Sequence, residues 1–115
     1  MFPSKLILAA ALAAATGTGA SEGQMTFEKR CAGCHGADKA KEGPPLRGVV
    51  GRQAGKVPGF RYSDGLTAAR FRWDETTLDK WMTDPESVVP DTDMAYRLGN
   101  GADRAKIVEY LRQLK

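Results

Sequence analysis

The sequence predicts an all-α chain of three main helices, with short helices and long loops between them. Three observations carry that expectation. Apolar residues fall at helical spacing in three separate stretches, no alternating pattern reaches convincing strand length, and 11 Gly with 5 Pro are scattered through the residues after Ala20. In the first stretch Phe27, Cys31 and Cys34 follow one helix face, so a helix leads into the cysteines and delivers them on its buried side. In the second, Asp74 is a good N-cap for a helix carrying Leu78, Trp81 and Met82 at i, i+3 and i+4, which Asp84-Pro85 ends. In the third, Ile107, Tyr110, Leu111 and Leu114 form one stripe of a terminal helix starting near Asp103.

The 115 residues allow one compact domain. Within residues 1–20 a single cation, Lys5, precedes an apolar run from Leu6 to Ala15 and a small-residue ending, Thr18-Gly19-Ala20. This is the layout of a secretory signal peptide cleaved near Ala20. An uncleaved anchor is the competing reading, but the run is about ten residues long and weakly hydrophobic, where a spanning helix needs roughly 20. The expected division is therefore residues 1–20 as a cleavable leader and residues 21–115 as one exported domain, with no stable membrane insertion after cleavage.

That domain has 16 Lys+Arg against 14 Asp+Glu and no basic block, which excludes a dedicated nucleic-acid binder. No phosphate-binding glycine loop and no strand–helix alternation suits a dinucleotide fold. Leu, Ile, Val and Phe together make up about 17% of residues 21–115, under the roughly 20% expected of a globular chain. Low net charge argues against disorder, so the core needs apolar mass that the side chains do not supply. Small exported domains commonly add disulfides or a bound group.

The two cysteines, Cys31 and Cys34, are followed at once by the single histidine, His35. A redox dithiol would want a strand–helix context and has no use for the histidine. A zinc site needs four ligands, and no further Cys or His exists. Cys-x-x-Cys-His is instead the attachment signature of c-type haem. One helical turn directs both thiols to the porphyrin vinyl groups, and the adjacent imidazole comes up beneath the iron. The haem is the missing core.

The chain from about Gly23 to Leu114 resembles the class I cytochromes c, on the mitochondrial-like branch that includes exported bacterial electron carriers. The landmarks fall in family order: Gly23 and Phe27 ahead of Cys31-Ala32-Gly33-Cys34-His35, then Gly43-Pro44-Pro45-Leu46, Gly51-Arg52, Phe60-Arg61-Tyr62-Ser63, Trp73 through Trp81, Pro85, Pro90-x-Thr92-x-Met94 and Tyr110-Leu111. The resemblance implies the cytochrome c fold wrapped around one haem c, covalently attached through Cys31 and Cys34, with His35 as one axial iron ligand.

His35 being the only histidine, the second ligand must be another residue type. Met25 lies on the cysteine-bearing helix and cannot reach the other haem face, and Met82 is expected in the core. Met94 sits in a loop resembling the family's ligand loop, so it is the expected second axial ligand. A His/Met pair raises the reduction potential. The resemblance further implies that the Pro44 carbonyl accepts the His35 Nδ1–H and that Arg52, Tyr62 and Trp73 tether the haem propionates. Thr92 helps to close the cavity, and Phe27 meets Tyr110 between the first and last helices.

The implied function is a soluble, monomeric, periplasmic electron carrier rather than an enzyme. A quinol-oxidising complex or dehydrogenase would be its donor, and an oxidase, reductase or photosynthetic centre its acceptor, each through transient docking. The alternatives are a haem subunit of a larger oxidoreductase complex, or a ligand-binding or peroxidatic haem protein with a labile methionine. Three departures from the family pattern stand out. Leu66 replaces an asparagine that holds a buried water, and Trp81 replaces a tyrosine beside the ligand sulfur, which leaves a hydrogen bond there open. Glu86, Asp91 and Asp93 replace lysines around the methionine loop, while Arg30, Lys39, Lys41 and Arg47 keep positive charge elsewhere, so a docking face of mixed sign is expected.

Overall fold

The structure, a computed structural model, describes residues 20–115. The expected leader, residues 1–20, lies outside the described residues except for Ala20. Five helices follow in order: α1 (Glu22–Arg30), α2 (Asp64–Ala68), α3 (Glu75–Thr83), α4 (Pro85–Val88) and α5 (Gly101–Gln113). The described residues contain no strand, and one isolated antiparallel bridge joins Gln53 to Arg72. The all-α expectation holds, with α1, α3 and α5 as the main helices. Among the described residues no helix is long and apolar enough to cross a membrane.

Local chemistry explains the helix limits. Ser21 caps α1 by accepting from the Gln24 N–H at 3.1 Å. Asp74 and Thr77 form a reciprocal capping box at the start of α3. Asp84 ends α3, and Pro85, whose missing N–H costs nothing at a first turn, begins α4 directly after it. The last helix starts at Gly101, two residues before the expected Asp103, because the Asn100 side chain already caps the Asp103 N–H.

The cysteine pair sits differently from expectation. The first helix ends at Arg30, with Cys31 as its C-cap, so the motif occupies the turn beyond the helix. The chain still coils there, for His35 N–H donates to the Cys31 carbonyl at 2.9 Å and Cys34 N–H does so at 3.1 Å. Ala32 N–H reaches back to Phe27 O, which tightens the exit from α1 and breaks the regular ladder.

Helices α1 and α5 cross closely. A Cβ on Gly23 would stand 2.9 Å from the Tyr110 Cβ and closer still to the Lys106 carbonyl, so the crossing requires a residue without a side chain. The Phe27 and Tyr110 rings meet there at 5.2 Å, as the resemblance implied. Helix α3 is tied to α5 by Arg104 on Asp79 at 2.7 Å and Arg112 on Glu75 at 3.3 Å. The buried apolar set includes Phe27, Leu78, Trp81, Met82, Ile107, Val108 and Leu111. Met82 is thus in the core as expected, and Met25 is 55% exposed.

Candidate metal centre

A cavity of about 280 Å³ opens between the helices and the long loops. Cys31, Cys34, His35, Pro44, Arg52, Tyr62, Trp73, Thr92 and Met94 all line it, so the fold brings the expected haem- and iron-binding residues to one place.

His35 is held by backbone. Its Nδ1 lies 2.9 Å from the Pro44 carbonyl, which makes Nδ1 the protonated nitrogen and leaves the Nε2 lone pair available to a metal. Gly43 lies flat against the ring. A Cβ there would come within 2.6 Å of Nδ1 and 2.7 Å of Nε2, so this backbone is part of the imidazole's seat. Burial pushes the His35 pKa down, the Pro44 bond pulls it up, and the Arg52 charge pushes it down again, so the ring is neutral at neutral pH and fit to ligate. Burial, aided by the neighbouring Cys34, pushes the Cys31 thiol up to about 11. Cys34 Sγ donates to a Glu42 carboxylate oxygen at 3.5 Å, and that bond raises its pKa.

Met94 is reached by side chains. The Trp81 indole N–H donates to the Met94 sulfur at 3.1 Å, which answers the question left open at this position. The Met94 N–H donates to Thr92 Oγ1 at 3.1 Å, so Thr92 shapes the ligand loop from within. Trp81 in turn meets Trp73 edge to face at 5.2 Å.

The remaining polar groups are gathered by a short backbone ladder. Gly51 N–H donates to Trp73 O at 2.6 Å, Trp73 N–H to Arg52 O at 2.9 Å, and Ala54 N–H to Phe71 O at 3.0 Å, which sets Arg52 beside Trp73. Arg52 donates to the carbonyls of Pro45 at 3.1 Å and Arg47 at 3.4 Å, bracing the loop that carries Pro44. The Tyr62 hydroxyl accepts from Val57 N–H at 3.2 Å, so its own hydrogen remains to donate. Trp73 is 8% exposed and lines the cavity. Leu66, buried, adds an apolar stretch of wall where an asparagine was the family expectation.

This donor set fits a haem: two thiols on the coil before a metal-ready imidazole, a thioether in the same cavity, apolar walls, and donors from Arg52, Tyr62 and Trp73 for carboxylates. Sequence reasoning missed the part of Gly43, visible only as a landmark glycine beside Pro44, and left open the Trp81 N–H bond that the structure makes. It also read Asp91 and Arg47 as charges of a docking face of mixed sign, without intramolecular partners in view. Arg47 is instead paired with Asp38 at 2.6 Å, and Asp91 accepts from the Gly65 N–H at 2.9 Å.

Fold and site together define a c-type haem protein of class I. The chain belongs to the cytochrome c family, whose profile matches residues 20–115. It is 41% identical over 88 residues to cytochrome c2 iso-2 of Magnetospirillum molischianum, covering 74% of this chain and 91% of that one. It is 45% identical over 98 residues to cytochrome c2 of Rhodoblastus acidophilus, covering 81% and 90%. Among solved structures, cytochrome cH from Methylobacterium extorquens superposes with a TM-score of 0.74 at 34% identity, covering 79% of this chain and 94% of that one. Membership makes the protein a haem electron carrier with one covalently attached haem c, and Cys31 to His35 fit the attachment motif.

Proposed function

We propose that residues 21–115 form a periplasmic one-electron carrier, exported by the leader at 1–20, with His35 and Met94 as the two axial ligands of the haem iron. The observation that carries this reading is the shared cavity in which Pro44 fixes the His35 tautomer and Trp81 fixes the Met94 sulfur. When bound, the haem supplies the Fe(III)/Fe(II) couple. Cys31 and Cys34 hold it through thioethers. Arg52, Tyr62 and Trp73 donate to the propionates, whose burial would be costly without partners. Leu66, Leu78, Met82 and Ile107 keep water from the centre.

In this reading the protein's part is to hold, seal and tune the haem rather than to supply a catalytic group. The carrier acts as a monomer and docks transiently. A quinol-oxidising complex or dehydrogenase serves as donor, and an oxidase, reductase or photosynthetic centre as acceptor. Glu86 and Asp93 on one side and Arg30, Lys39 and Lys41 on the other give the docking region mixed charge, which governs encounter rate and partner choice more than affinity.

Replacement of the proposed ligand tests the reading. Met94→Ala is expected to keep covalent haem, lose the far-red charge-transfer band of Met-ligated ferric haem, fall in reduction potential and bind carbon monoxide when reduced. An unchanged potential in that variant would show that another residue ligates the iron. Wild type that itself binds carbon monoxide readily at neutral pH would favour a ligand-binding protein with a labile methionine.

A further inference from the structure

Two segments far apart in sequence wall the same cavity: Phe60 to Leu66, which runs into α2, and Thr92 to Tyr96, which carries Met94. Among the described residues a single side-chain hydrogen bond ties the methionine loop to α2. Asp91 Oδ2 accepts a hydrogen bond from the Gly65 N–H at 2.9 Å, across 26 residues of chain. The fit is reciprocal. A Cβ on Gly65 would stand 2.8 Å from Val89 Cγ1 and 3.0 Å from Asp91 Cγ, with Asp91 Oδ1 nearer still, so only a residue without a side chain admits the carboxylate. From Asp91 the hold passes along the loop through Thr92 N–H on Val89 O and Met94 N–H on Thr92 Oγ1, both 3.1 Å. The far end of the loop is fastened separately, by Leu98 N–H on Met82 O at 2.7 Å and Arg104 Nη1 on Leu98 O at 2.8 Å.

We propose that Asp91 is a positioning residue whose carboxylate, seated on Gly65, straps the methionine loop to α2 and sets how firmly Met94 is held. The inference rests on Met94 being the iron ligand. A charged acceptor on a backbone N–H is stronger than a neutral pair, and this is the only side-chain bond from the loop's leading end to α2 among the described residues. Asp91 therefore acts on its own fold while staying exposed, alongside the exposed Glu86 and Asp93.

The test uses the haem-loaded protein and carbon monoxide as probe, since binding to the reduced form waits on release of Met94. In Asp91→Ala the binding rate is expected to rise about tenfold, equivalent to about 1.4 kcal/mol of local opening. The far-red band of the ferric form should disappear at a lower denaturant concentration than helix content does. Asp91→Asn keeps a carbonyl acceptor and should stay within about threefold of wild type. Hydrogen exchange at the Gly65 amide, expected to quicken in Asp91→Ala alone, reads the bond directly and independently of the iron. An unaltered carbon monoxide rate in Asp91→Ala, or an Asp91→Asn protein as fast as Asp91→Ala, overturns the proposal while leaving Met94 ligation intact. Wild type lacking the far-red band removes Met94 ligation itself, and the strap's purpose with it.

Discussion

The two walls of the cavity that carry the proposed ligands, His35 and Met94, are built on opposite principles. Around His35 the direct contacts are backbone and close in sequence: the Pro44 carbonyl nine residues on, the Gly43 main chain against the ring, and the coil from Cys31, with the Arg52 side chain bracing that loop from outside. Around Met94 the decisive contacts are side chains, and the indole of Trp81 comes from another element. A wall of backbone has few ways to vary without losing its shape, so the imidazole's orientation and tautomer are constants of the fold. A wall of side chains varies one residue at a time, so the hold on the thioether is where one chain can differ from another. The attachment side gives permanence and the methionine side gives adjustment.

The largest effect is expected from breaking the backbone wall. Gly43→Ala places a methyl group against the His35 ring with no flexible neighbour to yield, since the ring is pinned at Nδ1. Overpacking of this kind costs roughly 1–3 kcal/mol. Displacing a proposed iron ligand should take the effect to the upper end of that range. Thermal unfolding of the haem-loaded variant measures it, and a stability equal to wild type would mean that the imidazole seat tolerates movement after all.

A smaller and more specific effect is expected on the other wall. Trp81→Phe removes the N–H donor to the Met94 sulfur while keeping an aromatic ring against Trp73. Loss of one such bond is worth about 1 kcal/mol. The expected outcome is a displaced or weakened far-red band and a changed potential, with the covalent haem and the helix content retained. Identical band position and potential in Trp81→Phe would reduce the 3.1 Å contact to a packing accident.

The same contrast decides how much was legible in the sequence. Helices α1, α3 and α5 were readable because periodicity and caps such as Asp74 are local signals. The Cys31 to His35 run was readable because its spacing carries the chemistry in consecutive residues. What escaped was long-range and made of side chains. The resemblance put Trp81 beside the sulfur but left open whether its N–H bonds to it, and nothing near Asp91 says that its carboxylate meets the Gly65 amide. A loop acid looks the same in sequence whether it meets solvent or a main-chain amide 26 residues distant. Gly43 escaped for a related reason: a glycine announces a missing side chain but not the ring that needs the space. Helix α1 ending before the cysteines was hidden too, since a turn and a helix share the i, i+3 spacing.

The smallest expected effect concerns the platform beneath the methionine side. Trp81 and Met82 ride on α3, whose first turn is held by the Asp74–Thr77 capping box. The hydrogen bond from the Thr77 N–H holds the Asp74 carboxyl below the usual aspartate range, with the Thr77 hydroxyl and Lys80 adding to it. The folded state thus binds this proton more weakly than the unfolded chain does. The stabilisation is present above the ordinary aspartate pKa and is lost as pH falls through the lower folded value. Asp74→Asn keeps a capping oxygen but no titrating charge, so its stability should vary less with pH than wild type below about pH 4, match it in acid and lie slightly below it near neutrality. The far-red band, followed through the same acid titration, should fade before helix content in wild type, because the methionine side depends on α3 while the imidazole seat does not. Simultaneous loss of both signals would mean that the two walls fail as one, and that the division between a constant side and an adjustable side does not extend to their stability.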